Sequence, residues 1–297
     1  MEIPKRFVVG QAASSKPSVN ASQAVEPRVR YMLEACCDGD SMLGKVAGEF
    51  GCVLNRVTKK EDLMSDQGFA DAGRFAHDHP GADLWGSLPC TQWSSWQHIN
   101  KSKGSRGRRQ AFAKKLADDR AFSLELVKRY LVLALIVQRN GGICAFEWPT
   151  NCTGWAQEVV QDMLDQLQLQ PVSFHGCAAG LVATGPGPGG KKVGLGPIFK
   201  PWTVYTDCFE LSSALGKLQC DRSHAHVHAQ GQHTVGTGSY PEKMCRIIHR
   251  ALSLHFSRRG SKSVVSAPCV GVASPGAGEE VHPAHKGRCF RSGTGLV

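Results

Sequence analysis

The chain lacks the features that would place it in a membrane or outside the cell. Its longest uninterrupted apolar run, residues 131–137, is much shorter than the roughly 20 residues that span a bilayer. Residues 1–15 contain no apolar core of a secretory signal peptide. The 12 cysteines are irregularly spaced, unlike the framework of a small disulfide-rich protein. We therefore expect an intracellular protein that does not bind membranes and whose thiols are mostly free.

Acidic residues are fewer than basic residues. The chain has 25 acidic residues against 35 lysines and arginines, which gives a net charge of +10 and a pI of about 9.1. Such an excess of positive charge favours polyanionic partners such as DNA. Many basic proteins bind no nucleic acid, so composition alone leaves the partner open. Hydrophobic residues make up 41% of the chain, which is enough for a substantial core.

Periodic apolar patterning is absent from both ends of the chain. Residues 1–29 are polar and mixed, and residues 257–297 are rich in glycine, serine, proline and basic side chains. Segments of this composition bury too little apolar surface to fold. We expect a disordered N-terminal arm, one folded domain over residues 30–256, and a disordered C-terminal tail.

Within the central domain, strand-like and helix-like patterns alternate. The patterns predict strands at residues 31–36, 52–57, 83–88, 143–147, 172–174 and 203–206, and helices at 42–50, 109–139, 156–169 and from 239 to about 256. The long helix should stop at Asn140-Gly141-Gly142, because glycine readily adopts the left-handed conformation that ends helices. This alternation predicts an α/β fold with a mostly parallel sheet and helices on both faces. In such sheets, ligands bind beyond the carboxyl ends of the strands.

Two of these strand ends carry residues that can do chemistry. The strand at 83–88 runs into Pro89 and Cys90, and the strand at 143–147 ends with Glu147. A cysteine in a cleft can be a nucleophile where its thiolate is stabilised; the alternative is a structural cysteine in a tight turn. A glutamate after an apolar strand either holds a partner in a cleft or begins an exposed loop.

Taken together, the two motifs resemble those of the cytosine-C5 DNA methyltransferase family. Pro89, Cys90 and Ser94 match its first motif, although the usual proline before this pair and the usual glutamine after it are replaced. Glu147 matches the acid of its second motif, with Trp-Pro following in place of the usual neighbours. The predicted last helix resembles the family's closing motif, which packs back against the cofactor region. The resemblance implies a Rossmann-like, S-adenosylmethionine-dependent methyltransferase fold.

The resemblance also implies a mechanism. Carbon 5 of cytosine is not nucleophilic, but a thiolate that adds at carbon 6 makes it enamine-like and able to accept a methyl group. Cys90 would be that nucleophile, and Glu147 would hydrogen-bond the ring near N3. The target base would have to leave the DNA stack to reach them.

The resemblance places a cofactor turn after the first strand. Glycine usually lets the backbone approach the cofactor closely, but aspartates stand where the family usually has glycines. These aspartates either face the ammonium group of S-adenosylmethionine or abolish the site. An acid after the second strand would hold the ribose hydroxyls; the alternative is a solvated loop acid. The candidate cofactor-binding residues are Glu34, Cys36, Asp38, Gly39, Asp40, Glu61 and Pro89.

A basic segment follows Cys90 directly. Residues 101–115 contain seven lysines and arginines and no acid, which suits a mobile loop that contacts phosphates. The alternatives are a solvated loop or a nuclear localisation signal, and the latter would make the protein nuclear. The family's Gln-x-Arg-x-Arg motif is absent, and Lys200 is the candidate to supply its charge. The candidate DNA-binding residues are Ser94, Arg106, Arg108, Arg109 and Lys200, with residues 180–238 as a short target-recognition-like insert.

A cluster of soft ligands lies within that insert. Cys220, His224 and His226 are closely spaced and could supply part of a zinc site. The fourth ligand would be His228, His233 or another cysteine. The alternative is a polar loop that touches DNA.

The sequence thus favours a divergent DNA (cytosine-5)-methyltransferase that uses S-adenosylmethionine. One alternative is a catalytically inactive descendant of that fold that binds nucleic acid through its basic segment. Another is a metal-binding interaction module around residues 220–228. The degenerate cofactor turn and the irregular ends would also fit a chain carried by a mobile element.

Overall fold

The computed structural model describes residues 28–186, 192–227 and 237–262. Its strands are β1 (Arg30–Ala35), β2 (Cys52–Val57), β3 (Asp83–Gly86), β4 (Cys144–Pro149), β5 (Gln170–His175), β6 (Val182–Pro186), β7 (Lys192–Pro197) and β8 (Pro201–Thr206). Its helices are α1 (Met42–Val46), α2 (Asp66–Asp78), α3 (Trp96–Ser102), α4 (Arg106–Arg139), α5 (Glu158–Gln166), α6 (Phe209–Gly216) and α7 (Glu242–Lys262). Most of the predicted arm, and the predicted tail beyond residue 262, lie outside these residues.

Six strands form one central sheet in the order β2-β1-β3-β4-β8-β5. Strands β1 to β4 run parallel, whereas β8 is antiparallel to both of its neighbours. Strands β6 and β7 form a separate antiparallel hairpin. The predicted α/β fold with a mostly parallel sheet is confirmed. Because β1, β3 and β4 are parallel neighbours, their carboxyl ends open onto the same edge of the sheet.

Alternate side chains along the strands feed two separate cores, one on each face of the sheet. On one face, Met32 and Trp85 pack in a cluster with residues of α1, α6 and α7. On the other face, Leu33 and Phe146 pack in a cluster with residues of α2, α4 and α5. Helices therefore cover both faces, as the sequence predicts. Among the described residues, no helix combines the length and the apolar character that crossing a membrane requires.

A buried charged network fixes the last helix against the first strand. Arg30, which is 2% exposed, donates hydrogen bonds to Asp83 at 3.0 Å and to Nδ1 of His249 at 2.6 Å. Since Nδ1 accepts from arginine, the ring proton lies on Nε2, which donates to the carbonyl oxygen of Leu43 at 2.9 Å. Burial lowers the pKa of His249 to about 4, so its ring is neutral. This network ties α7 to β1 and β3.

Three helices were not predicted from the sequence: α2, α3 and α6. Helix α2 contains Gly68 and Gly73, which lower its intrinsic helix propensity. Its start is capped by the side chain of Ser65, which accepts a hydrogen bond from the backbone of Gly68 at 2.9 Å. The guanidinium of Arg129 on α4 also donates to the Ser65 carbonyl oxygen at 3.2 Å. Tertiary contacts of this kind, rather than local propensity, stabilise the helix.

The predicted last helix and the predicted insert both need correction. Helix α7 continues to Lys262 instead of ending near residue 256. The predicted insert at 180–238 is not separate from the core, because β8 lies inside the central sheet and α6 packs on its face. The part of this range outside the sheet layers is the β6–β7 hairpin and the loop after α6. The stop of α4 is as predicted, since Gly141 adopts a left-handed φ of 80°.

Candidate active site

A cavity of about 440 Å³ opens at the carboxyl ends of β1, β3 and β4. It gathers residues from five segments that are far apart in the chain. The residues that line it include Glu34, Cys36, Asp38 and Asp40 after β1, Pro89 and Cys90 after β3, Glu147 on β4, Lys200 before β8, and Tyr240 before α7. Eight of the residues predicted for cofactor, catalysis and DNA therefore share one site.

Cys90 lies between the end of β3 and a short 3-10 helix at Thr91–Trp93. Its side chain is half-buried. Burial raises the pKa of the thiol, the nearby Glu147 carboxylate raises it further, and the Lys200 ammonium partly offsets both effects. The resting thiol is therefore protonated at neutral pH. A nucleophilic role would require that its proton be taken up elsewhere in the site.

Glu147 is buried on β4 beside the same cavity. The hydroxyl of Tyr240 donates a hydrogen bond to its Oε2 at 2.6 Å. Its other oxygen, Oε1, is buried and accepts no hydrogen bond from any residue that the structure describes. Burial raises the pKa of this carboxyl group, and Lys200 and Tyr240 partly counter the rise. An unsatisfied buried acceptor is costly, and at a cavity wall it suits a donor on a ligand.

Tyr240 is a residue of this site that sequence reasoning missed. Its oxygen accepts a hydrogen bond from Trp85 Nε1 at 3.1 Å and lies 2.8 Å from the hydroxyl of Ser87. It therefore connects the end of β3 to Glu147 on β4. The sequence marked Ser239-Tyr240-Pro241-Glu242 only as a helix start. Nothing in that local pattern indicates a contact with a residue on β4.

Lys200 brings positive charge into the cavity. Its ammonium donates to the carbonyl oxygen of Thr237 at 2.7 Å and lies 4.9 Å from the ring centroid of Trp202. The charge acts on both Cys90 and Glu147, because it lowers the pKa of each. Its position follows from the antiparallel strand β8, whose first residues lie beside the end of β4.

The turn after β1 forms the acidic half of the cavity. Glu34 is 1% exposed, and burial raises its pKa to about 7. The hydroxyl of Ser41 donates to its carboxylate at 2.5 Å, and the charge of Arg56 partly offsets the burial. Arg56 in turn donates to the Ser41 oxygen at 3.0 Å. Glu34 is thus held in place, and burial brings the pKa of its carboxyl group up to the neutral range.

The remaining residues of this turn differ in their environment. Cys36 adopts a left-handed φ of 62°, which is uncommon outside glycine and often marks functional sites. Burial raises the pKa of its thiol to about 12. Asp38 and Asp40 are exposed, and Asp40 pairs with Lys45 at 3.1 Å. Both aspartates stand at the mouth of the cavity, where their charge can act without being buried.

Two predicted cofactor residues do not line the cavity. Gly39 is exposed, and a Cβ atom added there would meet nothing within 4 Å. The structure therefore shows no close approach that needs glycine at this position. The carboxylate of Glu61 accepts hydrogen bonds from the backbone and hydroxyl of Thr58. Glu61 thus caps its own turn and is exposed, as the loop-acid alternative predicts.

The basic segment also lies outside the cavity. Its second half belongs to the helix predicted at 109–139, and its first half is also largely helical instead of a loop. It begins on α3 and continues into the first turns of α4, where Arg106, Arg108 and Arg109 are exposed. Ser94 does not line the cavity either; its hydroxyl accepts from the backbone of Trp96 at 3.3 Å, near the start of α3. These residues form a surface next to Cys90 in sequence, separate from the cavity wall.

The predicted metal ligands do come together. Cys220, His224 and His226 form one group, and Cys177 joins them as a residue that the sequence did not single out. The donor atoms of these four residues lie within 4.8 Å of one another. Of the fourth ligands considered from the sequence, His228 and His233 lie outside the described residues, and the third alternative, another cysteine, is met by Cys177. Cys177 comes from the turn after β5, so only the fold brings it near.

Comparisons with protein-family models, with curated proteins and with solved structures found no match to this chain. Its function is therefore inferred from the chemistry of the site and from the resemblance of its motifs.

Proposed function

We propose that this chain is an S-adenosylmethionine-dependent DNA (cytosine-5)-methyltransferase in which Cys90 is the nucleophile. The observation that carries the proposal is a shared cavity. Cys90 and Glu147, from the ends of neighbouring parallel strands, line the same space as the acidic turn after β1. A nucleophile, an acid and a site for a cationic cofactor within one cavity meet the needs of this reaction.

The target base would occupy the half of the cavity formed by Cys90, Glu147 and Lys200. Burial disfavours negative charge on both the thiol and the carboxyl group. Passing the Cys90 proton to Glu147 would give a thiolate and a protonated acid without changing the net charge. The acid could then donate to N3 of cytosine, and the unsatisfied Oε1 could accept from the exocyclic amino group.

In this reaction the Cys90 sulfur forms a bond to carbon 6, and the electron pair of the 5,6 double bond becomes available at carbon 5. Carbon 5 would take the methyl group as the bond between that methyl and the cofactor sulfonium breaks, which would leave a neutral thioether. The proton on carbon 5 would then leave to solvent. The electron pair of that C–H bond restores the double bond and expels the Cys90 thiolate. Glu147 recovers the N3 proton, and the thiolate is ready for another cycle.

The acidic half of the cavity fits the cofactor electrostatically. S-adenosylmethionine supplies an electrophilic methyl group and carries positive charge on its sulfonium and ammonium groups. Glu34, Asp38 and Asp40 offer carboxylates to these charges. Because the pKa of Glu34 is about 7, a nearby cation would shift it to the ionised form. Asp38 and Asp40, which replace the usual glycines, are exposed at the cavity mouth. Their side chains therefore do not fill the interior of the cavity.

The surface of α3 and the start of α4 would contact DNA. Arg106, Arg108 and Arg109 are exposed for phosphate contacts. Trp96 and Ile99 on α3 are also 51% and 47% exposed. Exposed aromatic and apolar side chains beside positive charge suit stacking on bases that leave the helix.

Covalent trapping tests the proposal directly. Duplex DNA containing 5-fluorocytosine is mixed with the protein and S-adenosylmethionine, because fluorine at carbon 5 cannot leave as the proton does. We expect a denaturation-resistant adduct, which peptide mass spectrometry should locate on Cys90. Cys90→Ser should form none, whereas Cys52→Ser, which removes a thiol on β2 away from the cavity, should form it normally.

Two results would contradict the proposal. An adduct on another cysteine would remove Cys90 from the mechanism. A protein that binds S-adenosylmethionine in a titration yet forms no adduct would not be a cytosine-5 methyltransferase. Failure of both assays, with retained DNA binding, would support the alternative of an inactive nucleic-acid-binding descendant, which the raised pKa of Cys90 also favours.

A further inference from the structure

Four soft donors converge at a place away from the catalytic cavity. Cys177 lies in the turn after β5, and Cys220, His224 and His226 lie in the loop after α6. Their donor atoms are all within 4.8 Å of one another. We propose that these four residues bind one structural zinc ion.

The distances between donors agree with tetrahedral zinc. With Zn–S near 2.3 Å and Zn–N near 2.0–2.1 Å, the sulfur and nitrogen ligands of a tetrahedral site stand about 3.6 Å apart. The Sγ atom of Cys220 is 3.8 Å from Nε2 of His224 and 3.4 Å from Nε2 of His226. Both values lie close to that separation. Two thiolates and two imidazoles complete the coordination sphere, as in structural rather than catalytic zinc sites.

Neighbouring groups hold these ligands in position. The backbone N–H of Cys220 donates to Nδ1 of His175 at 2.9 Å. The backbone N–H of Arg222 donates to the Cys220 sulfur at 3.3 Å, and Arg222 has a left-handed φ of 61°. An N–H aimed at sulfur stabilises the thiolate form that a metal requires. The ring of Phe199 packs against His226 with centroids 5.3 Å apart. Supporting contacts of this kind are a regular part of metal sites.

The bound ion would link two segments that position Lys200. The backbone N–H of Gly176, next to Cys177, donates to the carbonyl oxygen of Lys200 at 2.8 Å. Val227, next to His226, donates to the carbonyl oxygen of Pro197 at 2.8 Å. Both segments therefore hold the chain that leads into β8. Zinc would hold the backbone at Lys200 in position without contacting the catalytic cavity. The role of the ion would therefore be structural whether or not the chain is a methyltransferase.

Metal analysis of the purified full chain tests the site. Elemental analysis should find about one zinc per chain, as a site of four protein ligands requires. Replacing zinc with Co²⁺ should produce visible bands of tetrahedral cobalt together with a sulfur-to-cobalt charge-transfer band. Cys177→Ser and Cys220→Ser should each weaken zinc binding by more than about 100-fold, because residues that only support ligands already contribute about 10- to 100-fold.

Matched variants separate the proposed ligands from other cysteines and histidines. Cys37→Ser removes a half-buried thiol elsewhere, and His228→Ala removes the next histidine in the sequence; both variants should retain zinc. If Cys177→Ser retains zinc while His228→Ala loses it, the proposed set of ligands is wrong. Absence of zinc after reconstitution of the reduced protein, or a disulfide between Cys177 and Cys220 in the freshly purified protein, would overturn the site itself. Because the cobalt spectrum is recorded on the unmodified chain, a variant that fails to fold does not decide the question.

Discussion

Replacing Glu147 with glutamine should make the Cys90 thiol more reactive and, at the same time, prevent adduct formation with DNA. Burial is the main reason that the pKa of Cys90 is raised; the Glu147 carboxylate raises it further and the Lys200 ammonium lowers it. Glutamine keeps the size of the side chain and removes the negative charge, so Cys90 should ionise at lower pH. Lys200→Met removes the positive charge and should shift the Cys90 pKa the opposite way.

The effect on reaction rate follows from two opposing factors. Below the pKa, each unit by which it falls raises the thiolate fraction about tenfold. A less basic thiolate is also a weaker nucleophile, by about threefold per unit for a Brønsted coefficient of about 0.4–0.5. The net gain is therefore about three- to fourfold per unit. We therefore expect the alkylation rate to rise in Glu147→Gln and to fall in Lys200→Met, and the size of each change reports the size of the pKa shift.

The assay is alkylation by iodoacetamide from about pH 7 to about pH 10, a range centred on the usual cysteine pKa. Mass spectrometry of the Cys90 peptide excludes reactions of the other thiols. Glu158→Gln, which removes an acid from the first turn of α5 away from the cavity, is the control and should leave the profile unchanged. Equal rates for all variants, or shifts of the same sign for Glu147→Gln and Lys200→Met, would refute an electrostatic coupling between these groups and Cys90.

Three further predictions concern stability and DNA binding. The pKa of Glu34 is about 7 in the folded chain against 4.5 for the free group, so the free energy of unfolding should fall by up to about 3 kcal/mol as pH rises from about 4.5 to about 7. Urea unfolding at several pH values should show a smaller decrease in Glu34→Gln. Equal decreases in the wild type and the variant would contradict this prediction. Asp83→Asn should lower the free energy of unfolding by about 3–5 kcal/mol, because it leaves the buried Arg30 without its counter-charge. A decrease of less than about 1 kcal/mol in urea titrations, which is typical of an exposed ion pair, would argue against a buried ion pair between Arg30 and Asp83. Arg106→Gln and Arg108→Gln should each reduce the salt dependence of DNA binding by about 0.9 in the log–log slope, whereas Lys128→Gln, farther along α4, should not.

The sequence by itself determined the mostly parallel α/β class of the fold and the position of its chemistry at the strand ends. Apolar segments alternating with helical patterns are sufficient to predict parallel strands, because each segment's periodicity is set locally. Parallel strands then place Cys90 and Glu147 at one edge, since both residues stand at the carboxyl ends of their strands. The acidic turn after β1 follows by the same reasoning. Apart from Lys200, which precedes β8, the residues of the cavity that sequence reasoning found lie at or just after the ends of predicted strands.

The helices that were missed show where local patterns stop being informative. Helix α2 is rich in weak helix formers, and helix α6 is short. Each is helical because one of its sides packs against the sheet or against another helix. The basic segment after Cys90 was predicted as a mobile loop because its positive charge and its two glycines suit contacts with phosphates. Ser105 nevertheless caps the start of α4, where its side chain accepts from Arg108.

Only the tertiary structure decided which distant residues complete each site. Tyr240 reaches Glu147 because the segment before α7 lies beside the ends of β3 and β4. Lys200 enters the cavity because β8 runs antiparallel beside β4, and Cys177 meets Cys220 because the turn after β5 lies beside the loop after α6. Each of these contacts joins residues that no periodic pattern connects. Such contacts depend on how strands are ordered in the sheet and how loops cross it, and burial of the whole core sets that order rather than any local preference.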